Sequence, residues 1–123
     1  MLKKYFGTDG IRGRSNTGVI TPEIMIKLAR ATSIACDFLG KKATIVIGKD
    51  TRLSGYMLES ALTSGFISMG VNVVLIGPMP TPAISMLVRS LRADLGMMIS
   101  ASHNPYYDNG VKFFQSSGHK ISS

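Results

Sequence analysis

The apolar positions of the chain follow two alternating spacings, one typical of helices and the other of strands. Three segments keep apolar residues at helical spacing: Ile24, Leu28, Ala31, Ala35 and Leu39; Leu58, Leu62, Phe66 and Met69; and Ile84, Leu87, Val88 and Leu91. Short continuous apolar runs at residues 43–47, 71–76, 95–99 and 111–114 predict strands. The order of these segments predicts helices that alternate with strands.

Cap and turn residues mark the ends of the predicted helices. Thr21–Glu23 supplies a side-chain cap, a first-turn proline and a first-turn acid, which together predict a helix start. Thr81 and Pro82 repeat the cap and the proline before the third helix. Gly40 and Gly70 are the residues at which the first two helices are expected to end.

Strands that alternate with helices are joined in parallel by right-handed crossovers. The strands at 95–99 and 111–114 lack a helix between them, and Asp108–Gly110 is a turn signal, so this pair predicts an antiparallel hairpin. Its second strand is expected at an edge of the sheet. The sequence thus predicts a three-layer α/β/α domain with a mixed, mostly parallel sheet, as one domain of 123 residues.

Composition narrows the class of protein. The chain is 45% hydrophobic and 17% charged, which is typical of globular domains. It has no apolar run of roughly 18 residues, and residues 1–5 lead into no apolar segment, so neither a membrane span nor a signal peptide is expected. The single cysteine, Cys36, is expected in the core of a cytoplasmic protein. Met25, Met57, Met86 and Met97 are expected to fill the core as well.

The net charge of +7 favours an anionic partner. Lys and Arg are scattered rather than arranged in a stripe with aromatic residues, so nucleic acid is not the expected partner. Cations in glycine-rich loops instead favour a small phosphorylated ligand. Arg12 lies among the glycines of residues 6–18 and is a candidate phosphate clamp, while Lys49 and Arg52 lie in a second glycine-bounded loop at 48–55. For all three cations, the alternative is an ordinary solvated loop.

The main candidate site is the small-residue segment that follows the strand at 95–99. Ser100 and Ser102 offer hydroxyl groups there, and His103 offers an imidazole. Ligands of open α/β sheets bind at the carboxyl ends of strands. Lys112, on the returning strand, is placed to bring a cation to the same end.

Three functions are compatible with this segment from the residues alone. A serine hydrolase needs a base, an orienting carboxylate and usually a Gly-x-Ser-x-Gly turn. Ser102 instead lies between Ala101 and His103, and a histidine adjacent in the chain rarely faces its neighbour's hydroxyl, so this function is not favoured. Phosphoryl transfer needs a carrier hydroxyl, cations and a divalent metal. The third reading is a plain chain turn in a binding or assembly domain. Spacing does not choose between Ser100 and Ser102, and two histidines and one cysteine do not favour zinc.

Four segments carry a resemblance that covers the whole chain. Phe6–Gly13, Gly48–Arg52, Ser100–Pro105 and Asp108–Lys112 resemble the loops of the α-D-phosphohexomutases. That resemblance implies the first, phosphoserine-loop domain of four, here spanning 1–123 and truncated. It implies exchange of a sugar phosphate between positions 6 and 1 through a bisphosphate, most closely on an amino sugar of bacterial cell-wall precursor synthesis, with mannose or glucose phosphates as the alternative.

The resemblance also assigns roles. It implies that Ser102 carries the phosphoryl group, that Lys112 is a proton shuttle or clamp, and that Arg12 completes the catalytic set. Phosphate-binding roles are implied for Arg52, Lys49, His103 and Asn104. Mg²⁺ is implied as the cofactor, with the phosphate on Ser102 as the ligand from this chain and the other ligands in later domains. The fragment alone is expected to bind anions weakly, to be inactive, and to self-associate through the face that later domains would cover.

Overall fold

The part of the chain that the structure describes contains five strands and three helices, which alternate as far as the fourth strand. The computed structural model describes residues 11–14, 21–49, 53–100 and 108–119. The strands are β1 Ile11–Arg14, β2 Thr44–Lys49, β3 Asn72–Pro78, β4 Leu95–Ser100 and β5 Asp108–Gln115. The helices are α1 Pro22–Ala35, α2 Leu53–Ser68 and α3 Thr81–Ser90.

These strands form one sheet in the order β1-β5-β4-β2-β3. β2 pairs in parallel with both β3 and β4, whereas β5 is antiparallel to β4 and to β1. Four of the five described strands therefore run in one direction, and β5 alone runs against them. The predicted mixed, mostly parallel sheet is confirmed.

Two separate apolar clusters cover the two faces of the sheet. On one face, Leu28 of α1 and Phe66 of α2 belong to a cluster that includes Ile45 and Ile47 of β2. On the other face, Ile84 and Val88 of α3 pack with the alternate strand residues Val46, Met98 and Phe114. Alternation along β2 accounts for the division, because successive side chains point to opposite faces. Within the described ranges, two helices thus lie on one face and one on the other, which confirms the three layers.

The first helix begins as predicted and ends earlier. The Thr21 hydroxyl accepts a hydrogen bond from the Ile24 N–H at 3.2 Å, so Thr21 is the cap. The helix ends at Ala35, however, and the prediction that it continues to Gly40 is wrong. Asp37 adopts a left-handed φ of 58°, and the Phe38 N–H returns to the Ser33 carbonyl at 2.8 Å. The turn buries the Phe38 ring, which explains why the helix stops there.

The early end of α1 also changes the environment of Cys36. It is the C-cap residue and is exposed, so its predicted place in the core is wrong. Two features of α3 also differ from the prediction. Its N-cap is Pro80 rather than Thr81, and no side chain caps it. Met86 is 61% exposed and Leu91 47%, because they point away from the sheet rather than toward Ile84.

The edge of the sheet is not where the sequence predicted it. β5 lies between β4 and β1, so the prediction that β5 is an edge strand is wrong. β1 pairs with β5 from Ile11 opposite Val111 to Arg14 opposite Asp108. The sequence predicts a loop here, because residues 6–18 are rich in Gly, Thr, Asp and Arg, so the strand is a difference from the prediction. Its strand geometry is supplied by the backbone partners that β5 offers.

Two glycines let α3 approach the sheet closely. A Cβ on Gly48 of β2 would overlap the Ile84 side chain, and one on Gly96 of β4 would overlap Val88. The helix therefore packs directly on the backbone of the two central strands. In the described ranges, no helix is both long and apolar enough to cross a lipid bilayer.

Candidate functional site

The candidate site lies where β4 ends and β5 begins. β4 ends at Ser100, and β5 starts at Asp108 and returns beside it. Ser102, His103 and Asn104 fall between these strands, outside the described residues, as does Arg52 before α2. Their roles stay predictions, and the described backbone fixes the two ends between which the serine segment is held.

One row of the sheet brings three segments of the site together. Ser100 of β4 is paired with Gly110 of β5, and Gly110 is paired on its other side with Arg12 of β1. Adjacent strands lie about 4.8 Å apart, so the backbones of Ser100 and Arg12 are separated by roughly 10 Å. Ser102 follows two residues after Ser100. The sequence did not predict this juxtaposition, because it depends on the pairing of β1 with β5.

Lys112 occupies the face of the sheet that α3 covers. Its register partner in β4 is Met98, which belongs to the α3-side cluster together with Phe114. Val111 and Phe113, its neighbours along β5, belong to the cluster on the opposite face. Lys112 is half-buried and lies two residues along β5 from Gly110. It therefore lies beside the strand end to which the serine segment is attached.

Lys49 occupies the opposite face. It is paired with Ile99 of β4, which packs in the cluster beneath α1 and α2. Its side chain is only 4% exposed, and its ammonium lies 3.0 Å from the Glu59 carboxylate of α2. The same ammonium lies 4.3 Å from the centre of the Tyr56 ring. The structure thus does not gather Lys49 and Lys112 on one face, although both come from the same end of the sheet.

The backbone at Lys49 is also held. Its carbonyl accepts a hydrogen bond from the Met79 N–H at 3.0 Å, which ties β2 to the segment before α3. The register of β2 against β3 shifts between Ile47 and Lys49. Such irregularities re-aim side chains near the ends of strands. Here the shift coincides with the residue at which β2 leads into the connection toward α2.

Sequence reasoning missed Glu59 and Tyr56. A signal for Glu59 exists, since it is the only charged residue among the sixteen of α2. A lone carboxylate on an otherwise uncharged helix that packs in the core requires a partner. The partner is not apparent from the sequence, because the Lys49–Glu59 contact depends on how α2 lies against β2.

The resolved pKa shifts among the described residues lie away from this site, just after α1. Hydrogen bonding and attraction to Lys41, whose ammonium lies 2.8 Å from the Asp37 carboxylate, lower the pKa of Asp37. Desolvation raises the pKa of the Cys36 thiol, although the residue as a whole is exposed. Both precede β2, so they lie toward the amino ends of the parallel strands.

The described residues do not by themselves form a metal site. Among them, no group of three or more His, Cys, Asp or Glu side chains comes together. Mg²⁺ prefers an octahedral set of oxygen ligands and usually takes carboxylates and phosphate together. The described part of the chain does not fit that requirement.

Comparison with known proteins gives consistent results. Residues 3–123 match the family model described as phosphoglucomutase/phosphomannomutase, alpha/beta/alpha domain I. A phosphoglucosamine mutase of Novosphingobium aromaticivorans is 61% identical over 99% of this chain and 27% of its own length. Another, of Rhodospirillum centenum, is 59% identical over 99% of this chain and 26% of its own length. The chain spans little more than a quarter of these curated relatives.

Solved structures share the fold. A protein from Thermus thermophilus, described as a phosphomannomutase, superposes with a TM-score of 0.84 at 39% identity, over 94% of this chain and 26% of that one. A phosphoglucomutase/phosphomannomutase family protein from Burkholderia thailandensis superposes with a TM-score of 0.82 at 29% identity. That match covers 98% of this chain and 28% of the Burkholderia chain.

Proposed function

The chain belongs to the phosphoglucomutase/phosphomannomutase family, and on that premise we propose that the whole protein is a phosphoglucosamine mutase. It interconverts glucosamine 6-phosphate and glucosamine 1-phosphate through a sugar bisphosphate. The observation that carries the proposal is the row Ser100–Gly110–Arg12, with Lys112 two residues along β5 from Gly110, at the strand end after which the segment with Ser102 follows. This pairing supports the proposal that a carrier hydroxyl and cations from separate segments act at one place.

The choice of sugar follows the curated relatives. Those described above are named phosphoglucosamine mutases at 59–61% identity, which supports an amino-sugar phosphate as substrate. The similar solved structures carry phosphomannomutase or mixed family names at 39% and 29% identity. Phosphomannomutase or phosphoglucomutase activity is therefore the second candidate.

We assign the chemistry of transfer to Ser102. Its phosphoryl group passes to the free hydroxyl of the sugar monophosphate, which breaks the Ser102 O–P bond and forms a bisphosphate. The other phosphoryl group of the bisphosphate then returns to Ser102, and the sugar leaves as the isomeric monophosphate. The serine segment joins the paired strands β4 and β5. We propose that this attachment orients the carrier hydroxyl, since fixed orientation of the reacting groups lowers the barrier to transfer.

The cations bear the charge that develops during transfer. Lys112 is proposed to exchange the proton of the reacting hydroxyl or to neutralise the phosphoryl group, and Arg12 to bind phosphate oxygens in a fork. Arg52, His103 and Asn104 are proposed to hold the substrate phosphate and the shape of the loop. The burial of the Lys49 ammonium against the Glu59 carboxylate does not favour the phosphate-binding role predicted for Lys49.

Mg²⁺, when bound, would neutralise phosphate charge, and this chain would contribute one ligand, the phosphate on Ser102. The described residues do not form a site for the metal by themselves. The proposed setting is the cytoplasm, and the proposed partner of the whole protein is a phosphorylated amino sugar. For residues 1–123 alone, a second copy of the chain is proposed to bind through the face that later domains would cover.

Turnover of the full-length protein tests the proposal. The purified enzyme is assayed with Mg²⁺ on glucosamine, glucose and mannose 6-phosphates in turn, with a trace of the matching bisphosphate. We expect the highest kcat/KM for the glucosamine substrate and a decrease of several orders of magnitude in Lys112→Met. A preference for mannose or glucose phosphate would establish the second candidate instead.

A further inference from the structure

The only charged residue of α2 lies on the side of the helix that faces the core. Glu59 is buried beside Leu58 and Leu62, whereas Ser60 and Ser64 are exposed. A helix that covers a sheet ordinarily turns its charged residues toward water. The apolar pattern of α2 therefore does not explain why Glu59 faces inward, and the reason has to lie in what Glu59 contacts.

The contact of Glu59 is a cation that is fixed in the sheet. The Lys49 ammonium lies 3.0 Å from the Glu59 carboxylate, and the Lys49 side chain is 4% exposed. Lys49 is the last residue of β2 and is paired with Ile99 of β4, and its carbonyl accepts a hydrogen bond from the Met79 N–H at 3.0 Å. Because the backbone of Lys49 is held by these partners, α2 has to bring a carboxylate to the ammonium rather than the reverse.

Two residues of α2 contact this one ammonium. The centre of the Tyr56 ring lies 4.3 Å from the Lys49 nitrogen, in addition to the Glu59 carboxylate at 3.0 Å. Tyr56 and Glu59 are three residues apart, so they are neighbours on one side of the helix. A single contact survives a small rotation or slide of the helix, whereas two contacts with one atom restrict both movements.

A contribution to the free energy of unfolding does not by itself account for the buried pair. Removing two charges from water offsets much of their attraction, and apolar residues of similar volume often stabilise a core equally well. Buried ionic groups are best attested where they select one arrangement of neighbouring elements. A rotated α2 would leave the Lys49 ammonium and the Glu59 carboxylate in the core without partners, which destabilises strongly. The observed rotation avoids that loss.

We propose that Lys49, Glu59 and Tyr56 form an orientation lock, which permits one rotation of α2 on the sheet. Lys49 is paired with Ile99, the residue before Ser100, so the orientation lock holds the helix at the end of the sheet that bears the candidate site. The inference goes beyond the proposed function and does not depend on it, because it concerns only how α2 lies on the strands.

Thiol labelling of the full-length protein measures the rotation. Ala61→Cys places a thiol on the buried side of α2, where Ala61 is 7% exposed, and Ser60→Cys places a reference thiol on the exposed side. Both are made in a Cys36→Ser background, and labelled peptides are identified by mass spectrometry. When Lys49→Met/Glu59→Leu is added, labelling at position 61 relative to position 60 is expected to become about 10-fold faster or more, because a buried thiol reacts only when its segment opens or turns. An unchanged ratio would overturn the proposal.

Denaturant unfolding of the same variants distinguishes a change of rotation from a general loss of stability. Lys49→Met/Glu59→Leu leaves no uncompensated charge, so it is expected to unfold at a higher denaturant concentration than Glu59→Gln. Its labelling at position 61 is nevertheless expected to be as fast as in Glu59→Gln, because both variants lack the orientation lock. Labelling that slowed as stability recovered would show that the pair contributes stability only, and would overturn the proposal.

Reversal of the pair tests the ionic contact itself. Lys49→Glu/Glu59→Lys restores the contact with the charges exchanged, so labelling at position 61 is expected to be slower than in Lys49→Met/Glu59→Leu. The matched control is Lys41→Met, which removes the exposed ion pair of Lys41 with Asp37 at 2.8 Å and is expected to leave the labelling rate unchanged. Labelling in the reversed pair as fast as in Lys49→Met/Glu59→Leu would contradict the orientation lock.

Discussion

At the scale of single residues, the buried carboxylate of Glu59 is a side chain whose loss should lower stability. Its hydrogen-bond partner, the Lys49 ammonium, is equally buried, so removal of one charge leaves the other without compensation in the core. The exposed pair of Lys41 and Asp37 has a similar length and lacks that consequence, because water replaces the lost partner.

Glu59→Gln is therefore expected to lower the free energy of unfolding by about 3 kcal/mol, the lower limit for breaking a buried ion pair. Denaturant unfolding measures the change. Lys49→Met/Glu59→Leu, which removes both charges, is expected to recover part of the loss. If Glu59→Gln and Lys41→Met lowered the free energy of unfolding equally, burial of the Lys49–Glu59 pair would not increase its contribution to stability.

The thiol of Cys36 gives a prediction with a defined sign. Desolvation raises its pKa in the folded chain, so the thiolate forms at higher pH than in the unfolded chain. The pH at which iodoacetamide reacts half-maximally should lie higher for the folded protein than in denaturant. The stability due to this group is present below the unfolded pKa and is lost as pH rises through the folded one. A lower midpoint in the folded protein would contradict this.

At the scale of elements, the contact of α1 with α2 depends on a glycine. A Cβ on Gly65 would lie 2.6 Å from the Ala29 Cβ and 2.9 Å from the Ile26 carbonyl oxygen. Backbone lies on one side of that contact, so the two helices would have to separate. Gly65 thus permits an approach that no other residue type permits.

Gly65→Ala is expected to destabilise the chain by about 1–3 kcal/mol, the usual range for overpacking, despite the better helix propensity of alanine. Ser64→Ala is the matched control, since Ser64 is the neighbouring residue and is exposed. It should be neutral or slightly stabilising. Thermal unfolding of both variants decides the point, and a stabilised Gly65→Ala protein would refute the packing argument.

Some helices and strands were predictable from the sequence pattern, and others were not. Leu58, Leu62 and Phe66 were predicted as the buried face of α2, and all three are fully buried because helical spacing alone determines that face. The strand β1 was not predictable, because Ile11–Arg14 has no alternation of its own and depends on β5. Tertiary contacts likewise decided the end of α1, where burial of Phe38 outweighs a longer helix.

Some features of the candidate site were likewise predictable from the sequence, and others were not. The sequence predicts a strand at 95–99 followed by the small residues at 100–105, and the structure confirms the strand, which ends at Ser100. The sequence does not predict that Lys49 and Lys112 lie on opposite faces of the sheet, because this depends on the register of β2 and β5 against β4. The roles of Ser102, His103, Asn104 and Arg52 stay predictions, since these residues lie outside the described ranges.

At the scale of the whole molecule, the chain is expected to bind anions without catalysing turnover. Its net charge is +7, and its relatives are nearly four times its length. The described residues lack a cluster of metal ligands, and a cleft with one wall leaves the reacting groups in water, which weakens their electrostatic interactions. A coupled assay with Mg²⁺ should detect no mutase turnover by residues 1–123, whereas turnover near that of the full-length enzyme would mean that the active site is misplaced.

The central claim is that Ser102 carries the phosphoryl group. The full-length protein is incubated with sugar bisphosphate labelled in its phosphate groups, digested and mapped by peptide. The account predicts that the label is on Ser102, that it is exchanged into both product positions, and that Ser102→Ala loses both label and turnover while Ser100→Ala retains label. Label on Ser100, or turnover retained in Ser102→Ala, would contradict it.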